Sequence, residues 1–96
     1  MKYILEYSRK SIFTLDKLKK KTAKRIILKL EYFISRENPL SYAKKLTGRY
    51  SDLYRFRVGD YRLIFSKDIK GKITILTIIQ IGSRKDVYKK KWNLLL

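Results

Sequence analysis

The chain has 96 residues, 25 Lys and Arg against 8 Asp and Glu, no His, no Cys and a net charge of +17. This length predicts a single domain over residues 1–96, able to fold without staples, and the absence of cysteine excludes disulfides and thiolate-held metal. A field of that sign attracts polyanions: nucleic acid, an anionic membrane surface or an acidic protein. No apolar run reaches the length of a membrane span, and the opening MKYILEYSRK is too short in apolar residues for a signal peptide, so a soluble, cytoplasmic protein is expected.

Lys2 to Tyr7 alternates, with Tyr3, Leu5 and Tyr7 on one side, and predicts a strand. Ser8 is placed to cap a helix running from Arg9 to about Lys20, in which Ile12, Phe13, Leu15 and Leu18 form the apolar set. From about Lys21 to Arg36, Ala23, Ile26, Ile27, Leu30, Phe33 and Ile34 recur at helical spacing and predict a second helix. The other face of this helical hairpin carries Lys17, Lys19, Lys20, Lys21, Lys24, Arg25 and Lys29, read as a solvated surface adding long-range attraction. Asn38-Pro39 is expected to end the second helix. In the connector that follows, Lys44, Lys45 and Leu46 can form a short extended piece.

The stretch LYRFRVGDYRLIFS, Leu53 to Ser66, reads as a hairpin about the turn Gly59-Asp60. It pairs Val58 with Tyr61, Arg57 with Arg62, Phe56 with Leu63 and Arg55 with Ile64. One face is then Tyr54, Phe56, Val58, Tyr61, Leu63 and Phe65, a core face; the other carries Arg55, Arg57 and Arg62. Like charges set directly across a strand pair are destabilising, so Arg57 opposite Arg62 calls for an anion between them, most simply a phosphate. A turn over Asp68 to Gly71 leads into an interior strand from Lys72 to Ile81, apolar on both faces. The tail SRKDVYKKKWNLLL is basic, then apolar. The order of elements predicts an α+β two-layer fold: an N-terminal strand, a helical hairpin, then an antiparallel strand meander, with the helices on one sheet face and the basic face uncovered.

Without histidine or a cluster of acids, Ser-His-Asp catalysis and the usual metal sites are excluded, and the four isolated glycines make no phosphate loop. No cofactor is expected. The chemical candidates are Arg55, Arg57, Arg62, Arg84, Lys85 and Tyr88. Arginines can bind an RNA phosphodiester and stabilise the charge of a pentavalent transition state, while a tyrosine can stack on a base or exchange a proton. Cleavage without metal would use the neighbouring 2′-hydroxyl as nucleophile. Simple phosphate holding fits the same residues.

With these residues in place, the chain resembles toxins of the RelE/ParE superfamily from toxin-antitoxin systems, nearer the RelE branch. The resemblance covers nearly the whole length: the initial strand, a helical hairpin ending in NPL, the KKLTG connector, LYRFRVGDYRLIF and IIQIGSRKDVY. It implies the toxin of a type II system, a ribosome-dependent mRNA endoribonuclease that inhibits translation. It also implies that Arg62, Arg84 and Tyr88 occupy active-site positions. Arg55 and Arg57 stand where the best-studied branch has two lysines, one of them a proposed general base; the change keeps the charge and removes a group able to lose a proton. Ser83 stands where many relatives have histidine. Lys44, Lys45, Lys85 and Lys89 are the accompanying RNA-binding candidates. The implied partners are an acidic cognate antitoxin, the ribosome and mRNA, with Trp92 and Leu94 to Leu96 an element that antitoxin displaces or binds. A ParE-like gyrase poison and a non-catalytic RNA- or ribosome-binding relative are the alternatives.

Overall fold

In a computed structural model, which describes residues 2–83, the order is β1 (Lys2–Tyr7), α1 (Arg9–Lys17), α2 (Lys20–Ser35), β2 (Lys44–Lys45), β3 (Leu53–Val58), β4 (Tyr61–Lys70) and β5 (Ile73–Ser83). Single 3-10 turns lie at Pro39–Tyr42 and Gly48–Tyr50. The five strands form one sheet in the order β1-β5-β4-β3-β2. β1 runs parallel to β5 and the other neighbours are antiparallel. This is the expected α+β architecture, with β5 in the interior.

The helices cover one sheet face. Ile26, Leu30 and Phe33 of α2 and Leu15 of α1 pack on Phe56, Val58, Leu63, Phe65, Leu76, Ile78 and Ile81. Through this core runs a ladder of stacked rings, Tyr42 on Phe33, Phe33 on Phe56, Phe56 on Phe65 and Phe65 on Tyr54. Its centroid separations are 4.9, 4.9, 4.3 and 5.5 Å, so one aromatic column ties the first 3-10 turn, α2, β3 and β4 together.

Sequence periodicity misplaces the inward face of α1. Ile12 and Phe13 are 49% and 59% exposed, and the residues turned to the sheet are Ser8, Ser11 and Leu15. The reason is hydrogen bonding. Ser8 Oγ accepts from the Ser11 backbone N–H (3.1 Å) and donates to the Ile79 carbonyl (2.9 Å), while the buried Ser11 hydroxyl donates to the Ile78 carbonyl (2.8 Å). Those carbonyls sit at a β-bulge. Ile64 pairs with Gln80 but Phe65 pairs with Ile78, leaving Ile79 without an opposite residue. The serines satisfy backbone acceptors at the irregularity, and the bulge shifts the alternation so that Ile81 enters the core while Gln80 and Gly82 take the opposite face.

Other boundaries differ slightly. α1 stops at Lys17, where Leu18 turns extended and its N–H bonds to the Leu15 carbonyl. α2 ends at Ser35, ahead of Asn38-Pro39, and Pro39 instead opens a 3-10 turn. β4 continues to Lys70, because β5 offers it a partner up to the Lys70–Ile73 pair, so the turn is Gly71-Lys72 with Gly71 at φ +63°.

Ser8→Ala removes both the helix cap and the link to the bulge, and is expected to cost about 1–2 kcal/mol of unfolding free energy. Urea titration should show a lower midpoint with an unchanged slope.

Candidate functional site

The hairpin forms in the expected register, with Arg57 opposite Arg62 and Arg55 opposite Ile64. Gly59 supplies φ +59°, and among the described residues no non-glycine has positive φ, so the Gly59-Asp60 turn is of the II′ kind, whose twist suits a two-residue hairpin. With Phe56, Val58, Leu63 and Phe65 locked in the core, alternation sends Arg55, Arg57 and Arg62 to the face opposite the helices.

Neighbouring strands complete the site. Lys44 of β2 pairs with Arg55, and Ile64 of β4 with Gln80 of β5, so one row across the face reads Lys44, Arg55, Ile64, Gln80. The next row reads Arg57, Arg62, Gly82. Three guanidiniums and one ammonium thus share two rows of one sheet face, spread over β2, β3 and β4. No carboxylate shares these rows. The single ion pair among the described residues, Lys70 to Asp68 at 3.7 Å, is exposed at the far end of β4. Burial first, then the charges of Arg62 and Arg57, push the Arg55 guanidinium below arginine's ordinary value, as expected of cations crowded without a counter-ion. Arg55 still stays protonated at any relevant pH.

This face is not bare, contrary to expectation. Ile64 is 0% and Gln80 3% exposed, and both lie beside half-buried arginine side chains, whose aliphatic stems suit an apolar floor. Two buried polar atoms in the same patch, the donor Arg62 Nε and the acceptor Gln80 Oε1, have no hydrogen-bond partner among the described residues. A donor and an acceptor left open within a cationic cluster suit a ligand that combines both functions.

Of the sequence candidates, Arg55, Arg57, Arg62 and Lys44 come together. Lys45 pairs with Tyr54, and alternation turns it to the helix side, away from the cluster. Ser83 ends β5 opposite Tyr61. Arg84, Lys85, Tyr88 and Lys89, with Trp92 and Leu94 to Leu96, lie outside the described residues. Sequence reading missed Gln80. Its signal was a lone amide in an otherwise apolar strand, TIIQIG.

Two helices on one face of a five-stranded mixed sheet are the fold of the small toxins in solved toxin-antitoxin complexes. The RelBE2 toxin-antitoxin complex of Mycobacterium tuberculosis matches with a TM-score of 0.69 at 21% identity, over 88% of this chain and 100% of that one. The RelB-RelE complex of Methanococcus jannaschii matches with a TM-score of 0.63 at 26% identity, over 88% and 96%. The archaeal RelE-RelB complex of Pyrococcus horikoshii OT3 gives 0.61 at 25%, over 88% and 97%. Among curated protein sequences none matches. The family model for the ParE toxin of the type II toxin-antitoxin system, parDE, matches residues 5–88, and the chain belongs to that family as a toxin of the RelE/ParE superfamily.

Arg57→Gln removes one of two like charges held directly across a strand pair. It is expected to stabilise the free protein by about 0.5 kcal/mol at low ionic strength and by less in 0.5 M salt, where the repulsion is screened. Thermal melting at both salt concentrations measures this.

Proposed function

We propose that this toxin is an mRNA endoribonuclease that acts on the ribosome and halts translation, cutting through the 2′-hydroxyl of its substrate. The observation that carries this reading is the convergence of Arg55, Arg57 and Arg62 on one sheet face with no acid beside them. The likeness to RelE-RelB complexes of M. jannaschii and P. horikoshii supports it.

In the reaction, the 2′-oxygen attacks the adjacent phosphorus and the bond to the 5′-oxygen breaks. A 2′,3′-cyclic phosphate and a 5′-hydroxyl result, and the proton lost by the nucleophile is balanced by the one the leaving oxygen gains. Arg62 and Arg55 hold the non-bridging oxygens and stabilise their added charge at the pentavalent stage, a role arginine's planar fork suits. Neither can take the 2′-proton. Lys44, in register with Arg55 on the same face, and Tyr88 are the side chains assigned to proton transfer, because lysine and tyrosine can lose a proton where arginine cannot. Arg84 joins Arg62 on the phosphate, and Lys85 and Lys89 hold flanking phosphates.

The partner that silences the toxin is an antitoxin. Likeness to toxin-antitoxin complexes supports it, and a net charge of +17 favours an acidic chain whose association is fast and weakened by salt. The family's ParE description motivates a second reading, poisoning of DNA gyrase without RNA cleavage.

Mapping mRNA ends shortly after induced expression separates the two. Cuts within codons being read, reduced about 100- to 1000-fold in Arg62→Ala and relieved further when Arg84→Ala is added, are the expected outcome. Intact mRNA with DNA-damage signalling would instead favour gyrase, and growth arrest unchanged in the double variant would reject the site assignment.

A further inference from the structure

The hairpin turn and α2 enclose a second basic feature, on the other side of β3 from the arginine face. It is a groove of about 700 Å³ whose lining includes Lys21, Lys24, Arg25, Lys29 and Arg57, with Leu28 and Val58 as its apolar part. No acidic side chain lines it, and none of its five cations is in an ion pair among the described residues. All five are exposed, and together they set up a positive potential along the cleft that attracts an anion. Gly59 helps to shape it. A Cβ at this position would collide with the Arg25 guanidinium, so the glycine that permits the II′ turn also lets Arg25 lie against the hairpin.

Arg57 belongs to both features. It stands opposite Arg62 on the sheet face and also lines the groove. β2 pairs only with Tyr54 and Arg55, so β3 is the sheet's edge at this point and nothing in the sheet separates the two basic surfaces. On α2, Lys21, Arg25 and Lys29 follow at intervals of four residues, about 6 Å apart along the helix axis. That repeat is close to the separation of successive phosphates in an extended nucleic-acid strand.

We propose that this groove is a track for the phosphate backbone of single-stranded RNA, continuous through Arg57 with the arginine face, so that a strand engaged at the sheet wraps the β3 edge and runs along α2. The inference rests on the reading of the sheet face as an RNA site and adds a second surface to it. Regular spacing of the cations and continuity with the arginine face favour RNA over an acidic protein segment.

The test measures binding of 2′-O-methyl RNA, which cannot be cut through the 2′-hydroxyl, so the result does not depend on whether the toxin is a nuclease. Full-length toxin, a groove variant with Lys21→Gln, Lys24→Gln and Lys29→Gln, and a control variant with Lys10→Gln, Lys70→Gln and Lys72→Gln are compared. The two variants lose the same net charge. For a 15-nucleotide strand, the groove variant should bind about 10- to 100-fold more weakly at 0.1 M salt, and its slope of log affinity against log salt should shrink by about two, at roughly 0.7 per phosphate contact. The control variant should keep the slope to within about half a unit. A 2-nucleotide strand, whose single phosphodiester cannot occupy the sheet face and the groove together, should bind both variants within threefold of the original protein. Equal losses in the two variants, or equal losses for long and short strands, would overturn the track. So would a groove variant that keeps the long RNA but loses a Glu-rich 15-residue peptide, which would assign the groove to a protein partner.

Discussion

The repulsion between Arg57 and Arg62 is the constraint around which the arginine face of this molecule is built. The sheet has no freedom to avoid it. A one-residue slip in the β3-β4 register would turn either Phe56 and Val58 or Leu63 and Phe65 out of the core, at a cost of about 1.5–3 kcal/mol for each side chain, against at most about 1 kcal/mol for the like-charge pair. Hydrophobic burial therefore wins, and the guanidiniums are held together although they repel. An anion placed among them gains from a field already assembled, and binding it stabilises the folded state by simple mass action. The most strongly held part of the core thus maintains the least favourable part of the surface.

Much of this was legible in the sequence because it is local. The hairpin carries its own turn residue, its own alternation and its own aromatic face, so every pair from Val58–Tyr61 to Arg55–Ile64 could be read directly. The first strand, the second helix and the interior position of the last strand were similarly clear. What the sequence hid depends on distant partners. Ser8 and Ser11 look like a cap and a surface residue until the bulge of β5, some 70 positions on, supplies the carbonyls they bond. That docking turns Ile12 and Phe13 outward against the apparent periodicity. The bulge also decides which face Gln80 takes, something a period of two cannot foresee. In the same way, the α2 cations read as an ordinary solvated face, because only the tertiary position of the Gly59 turn makes a cleft of them.

Arginine in place of lysine gives the site a definite character. A guanidinium crowded by two others and partly desolvated remains charged, where an ammonium under the same pressure would tend to give up its proton. Arg55 therefore holds its charge across the physiological pH range, and in the reaction proposed above grip on the phosphate is separated from proton transfer. That division of labour leaves Lys44 at the rim, paired with Arg55 through the two-residue β2, as a contributor of a different chemical kind.

The placement of β5 has a consequence for how the chain comes into being. β5 is hydrogen-bonded on both sides, to β1 and to β4, and it receives the bonds that seat α1, yet it is the last of the described strands to be synthesised. Until residues 73–83 have been made, β1 has no neighbour and the helices have no complete sheet to cover. Pairing of elements so far apart in sequence is slow compared with local structure. A ribosome producing this protein accordingly carries an unpaired β1 and an unfinished sheet until residues 73–83 have been made, and only then can the five strands that display the arginine face come together.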